Sequence, residues 1–377
     1  MIPFTGLSFF YLLGLILLPA VVLGLMGRSL RGYGLFASLA ILTIVFAENG
    51  QLLPLITFAA WQLLMMAVVF CFSQRRKVVR WLPVVLAVLP LALVKIGEAY
   101  EPFGLFRLMG ISYMTFRAVE VLLDLCDGRL KQLSLIDAAY FLLFFPSVSS
   151  GPIDRFSRFS GDIAAAPGQK AYLEFFKQGV WKLAGGAVSA IVIGGLIQTY
   201  WLNALPESGL LADFSYMYGY SLYLFFNFAG SSSMAIGTGY LLGVRVPENF
   251  RQPFLSVDMK DFWARWHISL STWLRDYVYT RFVMDSLRKK RFKNQRTASY
   301  LGYILTMMTM GVWHGLAPQY LAYGAYHSLL MCLNELLDLH WKPFRKWKKQ
   351  GWGQVGCVLV TFHLFAFGLL IFSGRLI

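Results

Sequence analysis

The sequence predicts an all-α, polytopic membrane protein. Of 377 residues, 57% are hydrophobic and 14% are charged, against about a quarter charged in an ordinary soluble domain. Uncharged apolar runs of membrane-crossing length recur along the chain. A bilayer offers the backbone no hydrogen bonds, so such runs fold as helices. The same hydrophobicity excludes a disordered chain.

The first run, residues 7–26, has no basic stretch before it and no small-residue cleavage site after it. It reads as a retained helix rather than a signal peptide. Residues 33–47, 49–74 and 81–94 supply the next crossings. Residues 103–127 are apolar yet hold Arg107, Arg117, Glu120 and Asp124, and residues 138–153 end in Pro146, Ser147, Ser149, Ser150, Gly151 and Pro152. Lipid tolerates neither feature, so both segments are expected to face inward or to be re-entrant. Residues 183–206 and 214–244 follow. Residues 297–334 hold no Asp, Glu, Lys or Arg and suffice for two helices, with a break offered by Gly315 and Pro318. Residues 350–374 close the chain. The expectation is about ten or eleven crossings, with re-entrant and interfacial helices besides, in one membrane-embedded domain. Within it, residues 1–100 are N-terminal helices, 101–335 the core, and 336–377 a basic loop and last helix.

Lys and Arg number 34 and Asp and Glu 19, a net charge of +15. In a soluble chain this would suggest nucleic acid. Here it reads as basic loops beside anionic headgroups on the cytoplasmic side, with no nucleic-acid partner. Arg28 and Arg31 follow the first helix, and Arg75, Arg76, Lys77 and Arg80 the third, while Glu48, Glu98 and Glu101 sit at opposite ends. That alternation places the N-terminus outside. The clusters Arg288 to Arg296 and Lys342 to Lys349 flank one helical hairpin, so both are expected in the cytoplasm. Cys71, Cys126, Cys332 and Cys357 are isolated in apolar surroundings without a CxxC pair, which points to packing rather than zinc or disulfides. No internal repeat supports a secondary transporter.

Chemistry concentrates on two histidines. His314 lies in Met310-Gly311-Val312-Trp313-His314-Gly315, inside the long uncharged run. An ionisable group at that depth is by default a functional one; the alternative is a neutral imidazole bonded between helices. His267 lies in the stretch 258–276, where Trp263, Trp266, Leu270, Trp273, Leu274 and Tyr277 recur at helical spacing. This predicts one amphipathic helix, capped by Asp258 with Asp261 three positions on, and with Trp263 and Ser271 flanking His267. The alternative is interfacial anchoring by tryptophan, with His267 a bystander. His327 is placed to line the same cavity as His314, and His363 reads as packing. No HExxH spacing or GxSxG elbow is present.

Together, Asp261-Phe-Trp-Ala-Arg-Trp-His267-Ile-Ser-Leu-Ser271, Trp273-Leu-Arg-Asp276-Tyr277 and Gly311-Val-Trp-His314-Gly315 resemble the membrane-bound O-acyltransferase family. Gly110-Ile-Ser-Tyr-Met-Thr-Phe-Arg117, Phe144-Phe-Pro-Ser-Val-Ser-Ser-Gly-Pro-Ile-Asp154-Arg155 and residues 277–296 are similar to its teichoic acid D-alanylating branch. The resemblance implies a fold around a central tunnel. It implies that His314 is the catalytic base and His267 the second hallmark. Ser147, Ser149, Ser150, Trp313, Trp266, Ser271, Arg265 and Arg275 would line the tunnel or bind substrate. The donor implied is a D-alanyl thioester on the phosphopantetheine arm of an acidic cytoplasmic carrier protein; by charge, the loop with Lys289, Lys290 and Arg291 is one candidate docking platform, and Arg265 or Arg275 the other. The acceptor implied is lipoteichoic acid outside, with further membrane or extracellular partners of that pathway. No bound cofactor or metal is expected, because a thioester is already activated. The competing readings are O-acetylation of an extracellular polysaccharide within the same family, a proton-coupled transporter, and a non-catalytic scaffold.

Overall fold

The computed structural model describes residues 1–73, 81–99, 108–149 and 151–376. Arg75, Arg76, Lys77, Arg80, Glu101, Arg107 and Ser150 lie outside the described residues. The apolar runs fold as helices, and six of those described are long and apolar enough to cross a membrane. These are Gly6–Leu25, Arg31–Glu48, Leu52–Phe72, Trp81–Glu98, Gln169–Ala204 and Gly351–Phe372. The larger number expected from the sequence also counted Leu210–Leu241, Gln295–His314 and Pro318–His340, which are as long. Their share of polar residues, among them the buried Ser221, Ser232, Thr306, His327 and Asn334, sets them apart from the six. The chain is a multi-pass membrane protein.

Contacts divide the chain into two units, Met1–Val188 with Gly230–Pro247, and Ser189–Ala229 with Glu248–Ile377.

In the first unit, the charged segment that lipid could not accommodate is the buried helix Ile111–Cys126, in which Arg117 and Glu120 are each 1% exposed. Arg117 explains how the broken segment after it is tolerated. The chain leaves helix Leu135–Leu142 and makes only a short 3₁₀ turn, Phe145–Ser147. That leaves carbonyls without helical partners. The Arg117 guanidinium donates to the carbonyl oxygens of Phe141 at 3.0 Å and Ser147 at 2.7 Å, and more weakly to Leu142 at 3.4 Å. One turn later, Glu120 accepts the backbone N–H of Phe156 at 2.9 Å. Gly110 opens the buried helix in the left-handed region at φ +76°, and a Cβ there would stand 2.4 Å from the Val148 carbonyl oxygen. The motifs Gly110–Arg117 and 144–155 are thus two sides of one packed joint. Asp154, also buried, accepts from the Arg155 backbone and from Arg158.

In the second unit, Gly315 and Pro318 do separate two helices, Gln295–His314 and Pro318–His340. Gly311 and Gly324 let these helices touch backbone to backbone, since a Cβ on Gly311 would meet the Tyr320 carbonyl oxygen at 2.6 Å. The helix expected over 258–276 is corrected. Asp258 caps it as anticipated, accepting the Asp261 N–H at 2.8 Å. It then ends at Trp263, and the chain restarts as Ile268–Leu274, followed by a π-helical turn, Arg275–Tyr279. Nor do its tryptophans anchor the segment at an interface. Trp263, Trp266 and Trp273 are 5–7% exposed and pack inside the protein.

Replacing Arg117 by Met leaves the Phe141 and Ser147 carbonyls buried without donors. The expected cost is about 3–5 kcal/mol, the range for deleting one member of a buried charged network. Thermal unfolding of the purified protein checks this: the expected shift is a fall of roughly 5 °C or more, and an unchanged midpoint would contradict the role given to Arg117.

Candidate active site

The break in the helix falls on the histidine. His267 has φ +45° and ψ +52°, in the left-handed region that a residue with a Cβ adopts at a cost of roughly 1–2 kcal/mol. A neighbouring strand-like segment enforces it. Phe250 bridges Trp266 in antiparallel fashion, and the Arg251 N–H donates to the Arg265 carbonyl at 3.0 Å. The Asn249 carbonyl accepts the Ile268 N–H at 2.9 Å. The Asn249 side-chain Oδ1 accepts the Ser269 N–H at 3.2 Å and the Ser269 hydroxyl at 2.6 Å. Asn249 is 1% exposed. Two strand-like contacts on one side and an asparagine cap on the other leave the chain no helical path through residue 267.

The consequence is the direction of the imidazole. It is buried, stands edge-to-face on Phe228 at 4.7 Å between ring centroids, and lies 6.2 Å from the Trp313 ring. Trp313 in turn lies 4.4 Å from the ring of His314. Two histidines far apart in sequence therefore flank one indole. His314 is the last residue of its helix and is partly exposed, where His267 is not. Its ring is set by Phe372 at 4.8 Å, Tyr320 at 6.1 Å and Tyr323 at 6.3 Å. The arrangement sets a partly exposed imidazole, His314, close to a buried one, His267, with Trp313 between them.

The remaining residues singled out by sequence divide clearly. Trp266 is core, packed on Phe250 at 5.0 Å, Phe262 at 5.7 Å and Phe365 at 4.8 Å. Ser271 donates its hydroxyl to the Trp266 carbonyl at 3.1 Å and so secures the turn around His267. Arg265 pairs with Asp261 at 2.8 Å, and Arg275 with Asp276 at 2.8 Å. Lys289 and Arg291 both pair with Asp285, at 3.1 and 2.5 Å, while Lys290 is exposed. The Lys289 hydrogen bond holds the Asp285 carboxyl below its ordinary range. Ser147 and Ser149 belong to the first unit, where their hydroxyls are buried without a hydrogen-bond partner among the described residues. His327 is 0% exposed, wedged against Tyr323 at 4.4 Å and Trp263 at 5.1 Å, so it lines no open cavity. His363, expected to be a packing residue, is exposed on its helix, with Nδ1 2.7 Å from the Leu359 carbonyl. Asn249 was not singled out by sequence. It lies outside any periodic run, and only its pairing with residues 268 and 269 reveals its part.

These features define a class. The profile of the membrane-bound O-acyltransferase family matches residues 51–373, and the chain belongs to that family. It is a membrane-bound acyltransferase. Among its relatives is the teichoic acid D-alanyltransferase of Bacillus subtilis (strain 168), 41% identical over 100% of this chain and 98% of the relative. That of Streptococcus thermophilus is 36% identical over 99% and 95%. A probable alginate O-acetylase of Pseudomonas syringae pv. tomato is 30% identical, but over 73% of this chain and 51% of its own.

If Asn249 aims His267, Asn249→Ala should lower turnover by between about tenfold and a hundredfold, the scale of a small misplacement of a reacting group. The Michaelis constant for the acyl donor should stay the same. Steady-state acyl transfer by the purified variant checks this, and a rise in the Michaelis constant at full turnover would contradict it.

Proposed function

We propose that this enzyme transfers D-alanine from a carrier-protein thioester towards hydroxyl groups of lipoteichoic acid. The observation that carries the reading is the pair of imidazoles flanking Trp313, one accessible and one buried. The choice of acyl group follows the D-alanyltransferase relatives, which align from end to end where the O-acetylase relative covers part of the chain.

In the proposed reaction His314 takes the proton of the acceptor hydroxyl as its oxygen attacks the thioester carbonyl. Such a base contributes about 10²–10⁴ in rate. The tetrahedral intermediate carries an oxyanion, which an N–H of His267 stabilises from its fixed position. Collapse breaks the carbon–sulfur bond, the new ester leaves, and the phosphopantetheine thiolate recovers the proton from His314. The phosphopantetheine arm belongs to the donor substrate. The carrier docks on the cytoplasmic side, with the N-terminus of this chain outside, in keeping with the distribution of basic loops. Lys289, Lys290 and Arg291 are offered as part of the docking surface. Their partial neutralisation by Asp285 leaves Lys290 as the charge best placed to meet an acidic partner.

Purified protein in liposomes, offered either D-alanyl carrier or acetyl-coenzyme A, tests the reading. The expected result is consumption of the carrier thioester alone; equal use of acetyl-coenzyme A would favour polysaccharide O-acetylation. Reversing Lys289, Lys290 and Arg291 to Glu should raise the apparent KM for the carrier with turnover retained. Added salt should weaken carrier use in the wild type, because exposed charges are screened beyond about 8 Å at physiological ionic strength. Carrier kinetics unaffected by the triple reversal would clear this loop of docking.

A further inference from the structure

Away from the histidines, the second unit contains a large apolar cavity. Its volume is about 610 Å³, within the roughly 300–1,000 Å³ typical of ligand sites. Its walls include Leu333, Leu337, Trp341, Phe344, Trp347 and Val360. Its two most polar lining residues are already engaged. Asp258 is held by Lys348 at 2.6 Å, and Asn334 accepts the Met259 N–H at 2.9 Å and donates to Asp338 at 3.0 Å. Apolar side chains make up most of the lining, which suits an alkyl chain.

The residues that alternate with Trp341, Phe344 and Trp347 along the chain have the opposite character. Helix Lys342–Trp347 and the residues after it place Lys342, Arg345, Lys346 and Lys349 in exposed positions, none paired with a carboxylate among the described residues. Lys348, in their midst, is instead bound to Asp258 and Asp338. Four uncompensated cations beside an apolar chamber, in a protein surrounded by bilayer, match the chemistry of a phosphate joined to an acyl chain. The geometry points to a site for one anionic phospholipid of the surrounding membrane, with a chain in the cavity and its phosphate on these cations. Asp258 and Met259 line the cavity and begin the segment that leads to His267, so the lipid braces the entry to the elbow at that residue.

Native mass spectrometry of the detergent-purified full chain, titrated with phosphatidylglycerol and phosphatidylcholine of identical chains, tests this. The expected result is one tightly held phosphatidylglycerol, preferred about tenfold or more, because cations near the membrane surface attract an anionic headgroup. Neutralising Lys342, Arg345, Lys346 and Lys349 to Gln should abolish the preference. Gly356→Phe should fill the chamber and reduce retention of both lipids. A Cβ at Gly356 meets nothing within 4 Å, so the new side chain starts into open space. As a measurement free of variants, phosphatidylglycerol brominated in its chain should quench tryptophan emission to saturation at one lipid per protein, and more strongly than the brominated choline lipid. Equal binding of the two lipids by the wild type, a preference that survives the four neutralisations, or unchanged retention in Gly356→Phe would each overturn the proposal.

Discussion

The elbow at His267 rests on one buried asparagine. Asn249 supplies a backbone carbonyl to Ile268 and a side-chain oxygen to Ser269, and these bonds hold His267 in a conformation that a residue with a Cβ resists. The strain of roughly 1–2 kcal/mol is of the same order as what two or three buried hydrogen bonds return. The fold spends that energy on direction. In a continuous helix, position 267 would continue the line of Trp263 and Ser271; at the break, its ring instead meets Phe228 and the neighbourhood of Trp313. Backbone strain at a reacting group is a recurrent way of fixing geometry before substrate arrives.

The first unit solves a different problem with the same economy. A chain that breaks its helix in an apolar setting must still satisfy its carbonyls. Arg117 does so for Phe141 and Ser147, and Glu120 does the reverse for the Phe156 N–H. A buried guanidinium carries five donors and no acceptors, which suits a cluster of orphaned carbonyl oxygens. The charges that looked foreign to a membrane helix are thus what permits the irregular segment beside it.

Much of this was legible in sequence, and the failures have a common cause. The apolar runs gave the helices, Gly315 and Pro318 gave the break between Gln295–His314 and Pro318–His340, and Asp258 gave its cap. His314 stood out as an imidazole inside an uncharged run and His267 through the family motif, and the structure sets both rings near Trp313. The break at residues 264–267 stayed hidden because the aromatic periodicity runs through it undisturbed; what interrupts the helix is pairing with residues 249–251, a contact that no local pattern encodes. Trp266 packs on Phe365 and Ser271 bonds the Trp266 carbonyl, contacts that the same periodicity does not reveal. Six described helices are apolar enough to cross by composition alone, and Leu210–Leu241, Gln295–His314 and Pro318–His340 match the expected crossings in length while carrying more polar residues.

In the proposed reaction the partly exposed imidazole of His314 moves the proton, and the buried His267 beside Trp313 stabilises the oxyanion. The most direct measurement is single-turnover transfer of radiolabelled D-alanine from its carrier by wild type and His314→Ala, reconstituted side by side at matched insertion and thermal stability. The account predicts a loss of at least about a hundredfold, the lower end for a general base. Transfer by the alanine variant within a fewfold of wild type would contradict it.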